Sequence, residues 1–120
     1  MRLHHVAVFG PDPAALADFY AVTLGLQETR RQRDAHGVRS VWLAASTTTL
    51  MFERGPRGQN GVLVFAVPPG TAVEWRARLA ACLDGATTYS IYARDPDGNR
   101  LGVSSYPDPI ATDEPGPGAC

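Results

Sequence analysis

The chain has 120 residues, 44% of them hydrophobic and 19% charged, with a formal net charge of -1. That length suits one domain with a real core, and so neutral a balance offers no basic field for nucleic acid and no acidic one for a cationic ligand. The longest apolar run, Val62 to Val67, is far short of the roughly 20 residues of a membrane span, and two cysteines, Cys82 and Cys120, fit a reducing compartment, so a cytoplasmic protein is expected.

Residues 3 to 9 read as a buried strand. Asp12 then caps a helix that has Pro13 at its first position, where a missing N–H costs nothing. The helix is expected to reach about Thr23, with Ala15, Leu16, Phe19 and Val22 as its apolar stripe and Gly25 as a left-handed stop. Gln27 to Asp34 is polar throughout and carries Arg30, Arg31 and Arg33, the composition of a protected edge strand. After an Ala35-His36-Gly37 turn come strands over Val38 to Ala44 and Thr47 to Glu53.

The segment 55–60, with its proline and glycines, links two halves. A second strand, Gly61 to Val67, leads through Pro68-Pro69-Gly70 to a helix from about Thr71 to Leu83. That helix is expected to bury Ala72, Trp75, Leu79 and Leu83 and to pair Glu74 with Arg78. Short strands follow around Thr87 to Arg94, then an Asp95-Pro96-Asp97-Gly98-Asn99 turn and a last strand, Arg100 to Ser105. The tail, 107–120, is rich in proline and glycine and is expected to be flexible unless it docks on a neighbour.

The pattern of strand, proline turn and amphipathic helix thus occurs twice, and corresponding positions in the two copies are directly comparable. The fold class expected is α+β: two βαβββ modules in tandem, 1–54 and 61–106 within a domain 1–106, forming a curved mixed sheet with a concave cavity and one helix per module outside. Leu3-His4-His5-Val6-Ala7-Val8, Asp18-Phe19-Tyr20, Leu24-Gly25-Leu26 and Asp95-Pro96-Asp97-Gly98-Asn99, in this order, resemble the vicinal oxygen chelate superfamily. That superfamily includes glyoxalase I, extradiol dioxygenases, fosfomycin-resistance enzymes and bleomycin-resistance binding proteins.

The resemblance implies a divalent-metal site built from the first and last strands of each module. His5 falls on the first ligand position. Val62 stands on the equivalent strand of the second module, Gly102 where a glutamate is frequent, and Met51 on the fourth position, with Glu53 two residues on. One, and at most two, of four ligands survive. Strand alternation agrees: with Val6 and Val8 toward the helix, His5, Ala7 and Phe9 point the other way. So do Met51, Glu53, Val62, Val64, Arg100, Gly102 and Ser104, an apolar lining with a few polar groups. His4 is expected on the helix side.

Each candidate has a plainer reading. Trp42 and Tyr92 would stack on a planar ligand or pack in the core, and Arg100 would clamp an anion or lie exposed after its turn. Glu53 is a base, a second ligand beside His5, or a solvated strand end. No serine has a visible base beside it. The expected ligand-binding set is therefore His5, Trp42, Met51, Glu53, Val62, Tyr92, Arg100 and Ser104, with no metal and no cofactor.

The function expected is metal-independent binding of a small apolar or aromatic molecule in a cavity between the modules, for sequestration or resistance. The alternative is a lyase, isomerase or dioxygenase of the glyoxalase type, using one divalent metal ion on His5 and Glu53, or His5 as a metal-free base. A third reading is an interaction module without ligand. The resemblance also implies a homodimer, while the charge balance and short apolar runs argue against nucleic acid or a membrane as partner.

Overall fold

The computed structural model describes residues 1–57 and 60–111. The element order is β1 (His5–Gly10), α1 (Pro13–Leu24), β2 (Gln27–Asp34), β3 (Gly37–Ala45), β4 (Thr48–Arg54), β5 (Leu63–Ala66), α2 (Ala72–Arg78), β6 (Leu83–Ala86), β7 (Ser90–Arg94) and β8 (Arg100–Ser104). The strands form two four-stranded sheets, ordered β1-β4-β3-β2 and β5-β8-β7-β6. In each, the first strand lies parallel to the last strand of its module and the other pairings are antiparallel. The βαβββ repeat is therefore present twice. The chain divides into two compact units, Met1–Asn60 with Pro96–Gly98, and Gly61–Asp95 with Asn99 onward.

In the first unit the α1 boundaries follow from its ends. Asp12 accepts a hydrogen bond from the Ala15 N–H at 3.1 Å, and Gly25, at φ 70°, donates to the Ala21 carbonyl. The buried face is Pro13, Leu16, Ala17 and Tyr20, one step round from the expected stripe: Ala15 is exposed and Val22 is 84% exposed. Small residues at 15 and 17 leave the choice of face to the large ones. Tyr20 settles it by packing on Phe52, with ring centroids 4.9 Å apart. Val8, Val41, Leu43, Leu50 and Phe52 complete this core, each burial contributing roughly 1.5–3 kcal/mol.

Asn60 closes the free edge of β1. Its side chain accepts from the Phe9 N–H and donates to the Phe9 carbonyl, both at 2.8 Å, imitating a neighbouring strand.

In the second unit Ile91, Ala93, Leu101 and Val103 are wholly buried, and Leu79 is 2% exposed. The helix stops at Arg78, short of the expected Leu83; Ala80–Cys82 form a single 3-10 turn and Leu83 opens β6. β5 is likewise shorter than expected, so Val62 lies just outside it. The predicted Glu74–Arg78 pair is present at 3.3 Å. Between β7 and β8 the Asp95 carboxylate accepts from the Asn99 backbone N–H at 2.9 Å, and Gly98 takes φ 81°.

The start of the tail is anchored at Ile110. Ile110 is 1% exposed, donates to the Thr88 carbonyl and accepts from the Gly70 N–H. One large apolar residue in a polar stretch suffices for this. Residues 112–120, with Cys120, lie outside the described residues, as do 58 and 59 of the linker. Among the described residues no helix is long and apolar enough to cross a membrane.

Candidate functional site

The register of the first sheet sorts its side chains into two faces. Val8, Leu50, Phe52, Val41 and Leu43 occupy the buried one. The opposite face carries three successive rows across the sheet. They are His5, Thr49 and Ala44; Ala7, Met51 and Trp42; and Phe9, Glu53 and Ser40. On the neighbouring strand β2, Arg30 extends the middle row and Gln32 the third. An apolar middle is thus bordered by polar groups at either end.

Trp42 anchors the middle row. The Arg30 guanidinium stands 5.3 Å from its ring centroid, and its indole N–H is buried without a hydrogen-bond partner. At the third row the Ser40 hydroxyl donates to the Gln32 side chain at 2.9 Å, and Arg39 donates to the same oxygen at 2.6 Å. Glu53 shares the face with His5, as alternation requires. They stand four residues apart along the strands, about 13 Å at about 3.3 Å per residue.

His5 is exposed, and His4 is not turned toward the helix: the two rings meet edge to face, with Nδ1 atoms 2.9 Å apart. His4 precedes the first residue of β1, so strand alternation does not govern it. His36 remains in its turn, where its N–H donates to Asp34. The Asp34 carboxylate also takes two hydrogen bonds from Arg54, at 2.8 and 3.1 Å. Those bonds, with the one from His36, lower its pKa from 3.8 to about 2. On β2, the bidentate hydrogen bond from Arg31 lowers the pKa of Glu28.

The second sheet presents, on its less buried face, the rows Arg94 and Arg100; Tyr92, Gly102 and Val64; and Ser90, Ser104 and Ala66. A Cβ on Gly102 would stand 2.7 Å from Cδ1 and 2.8 Å from Cε1 of Tyr92, closer than side-chain atoms approach. The Tyr92 ring therefore lies against the bare backbone of residue 102. Arg100 covers Tyr92 with its guanidinium carbon 4.1 Å from the ring centroid. Val62 and Val64 are 53% and 51% exposed. Ser104 donates to the Tyr89 carbonyl at 3.2 Å and is occupied in holding the strand end.

Of the four positions at which the resemblance expects metal ligands, 5 is histidine, 51 methionine, 62 valine and 102 glycine, the last with the Tyr92 ring against its backbone. Among the described residues no group of three or more His, Cys, Asp or Glu side chains stands together as a metal site would require. Sequence reasoning missed Asp84 and Arg94, which ion-pair around Arg100. Arg94 was legible, because the tight 95–99 turn makes 94 and 100 cross-strand neighbours. Asp84 reaches them through a break in the β6 register at Gly85, φ 117°, which no local pattern announces.

Residues 5–104 match the family model of the glyoxalase-like domain, and the chain belongs to that family, within the vicinal oxygen chelate superfamily. Among solved structures it is similar to lactoylglutathione lyase from Agrobacterium tumefaciens, 20% identical over 86% of this chain and 92% of that one, with a TM-score of 0.70. It is also similar to TnmS3, an antibiotic binding protein from a Streptomyces species, 24% identical over 91% and 96%, TM-score 0.71. A third is the fosfomycin resistance protein FosX from Listeria monocytogenes, complexed with Mn(II) and a dihydroxypropylphosphonic acid, 14% identical over 87% and 91%, TM-score 0.74. At these identities the likeness is one of fold. No curated protein matches the sequence.

Proposed function

We propose that this glyoxalase-like protein binds a small apolar or aromatic molecule without a metal ion, through its open sheet faces, in a role of sequestration or resistance. The carrying observation is the Tyr92 ring lying on Gly102, at a position where the resemblance expects a carboxylate ligand. Trp42 and Met51, neighbours in the middle row of the first sheet, supply apolar contact. That TnmS3 is an antibiotic binding protein on the same fold supports this reading.

The test is titration with the neutral fluorophore N-phenyl-1-naphthylamine, with and without EDTA. Saturable binding that EDTA leaves unchanged and Trp42→Ala weakens is expected. Absence of saturable binding, or its loss with EDTA, contradicts the proposal.

A second reading, a divalent-metal-dependent lyase, isomerase or dioxygenase, is favoured by one observation: His5 is exposed with a second imidazole, His4, beside it. A homodimer accompanies the first reading, and a monomer mass by light scattering at micromolar concentration would contradict it.

A further inference from the structure

Arg94 and Arg100 face each other directly across β7 and β8. Like charges in that relation repel, and the Asp84 carboxylate lies against both. Its Oδ2 lies 2.9 Å from Arg94 Nε and 3.2 Å from Arg100 Nε. The two contacts are unequal. Arg100 Nε is buried and makes no hydrogen bond, so its approach to Asp84 is an ion pair without hydrogen-bond geometry. A terminal nitrogen of Arg100 reaches the Asp84 carbonyl only at 3.4 Å. Arg100, with five N–H donors, thus keeps most of them uncommitted.

The guanidinium is nevertheless held in place. Tyr92 supports it from below at 4.1 Å. The Arg100 side chain is 38% exposed, and Val64, 51% exposed, lies on the adjoining strand. A fixed, partly exposed guanidinium edge beside apolar surface suits a planar oxyanion carried on an apolar body.

We infer that the ligand class is an aromatic acid, its carboxylate on Arg100 and its ring on the apolar surface beside it. This rests on the proposed binding function and narrows it. Asp84 competes with the ligand for that guanidinium.

The experiment is calorimetric titration of the full chain with naphthoate and with naphthamide, its neutral counterpart. The expected result is naphthoate binding about tenfold or more tighter than naphthamide. Arg100→Gln is expected to bring the two affinities together and Asp84→Asn to widen the gap, with thermal melts confirming that each variant is folded. Equal affinities in the wild type, or a preference that survives Arg100→Gln, overturn the inference and leave the binding function standing. Failure of both probes to bind overturns the inference and the binding function together.

Discussion

Tyr92 lies across Gly102 so closely that no residue with a side chain fits there without moving the ring: a Cβ at 102 would stand 2.7 Å from Tyr92 Cδ1. The glycine and the tyrosine are cross-strand partners in β8 and β7. Gly102→Glu is therefore expected to destabilise the protein by about 1–3 kcal/mol, the cost of overpacking. Gly102→Glu combined with Tyr92→Ala should recover part of that loss. Urea unfolding of the two variants checks both statements, and an undiminished midpoint for Gly102→Glu would show that the ring is free to move.

Asp34 supplies a pH prediction. Its pKa is lowered from 3.8 to about 2 by the hydrogen bonds from Arg54 and His36. A depressed carboxylate pKa stabilises the folded chain above the unfolded value and loses that stabilisation as pH falls through the folded one. The contribution is thus present above about pH 4 and lost toward pH 2. Asp34→Asn should flatten the dependence of Tm on pH within that window and leave its slope between pH 5 and 7 unchanged. Parallel slopes for the two proteins below pH 4 would contradict this.

Much of this architecture was legible in the chain. Asp12, Pro13 and Gly25 marked α1 because capping is local chemistry, and strand alternation placed Val8 inward and Met51 outward. The face of α1 was misjudged because Ala15 and Ala17 carry little hydrophobic weight, so the long-range contact of Tyr20 with Phe52 decides it. Ile110 was hidden for a similar reason: its anchoring depends on Thr88 and Gly70, far away in sequence. The Tyr92–Gly102 contact combined both kinds of information. The missing carboxylate could be read directly, whereas the ring that fills its place required the register.

Asn60 gives a local test of edge protection. It meets both backbone groups of Phe9 at 2.8 Å, so Asn60→Ala leaves a part-buried donor and acceptor without that partner. The expected loss is about 1–3 kcal/mol. Asn60→Asp, which keeps the acceptor, should cost less than complete removal by alanine if strand mimicry is the cause. Chemical denaturation of the three proteins decides it.

Trp42 should report occupancy of the first sheet's open face. In a Trp75→Phe background its emission is expected to shift or quench as an aromatic ligand binds, because its indole lies in the middle row beside Met51. Emission unchanged through a titration that calorimetry shows to be saturating would place the ligand elsewhere.

The central claim is binding without a metal, and calorimetric titration of the demetallated protein with nickel, zinc, manganese and ferrous ions, alongside His5→Ala, tests it most directly. The account predicts no stoichiometric binding, because the expected ligand positions hold His5, the weak thioether of Met51, Val62 and Gly102, and the Tyr92 ring lies against Gly102. Stoichiometric, tight binding that His5→Ala abolishes would contradict it and turn attention to glyoxalase, epimerase and dioxygenase chemistry.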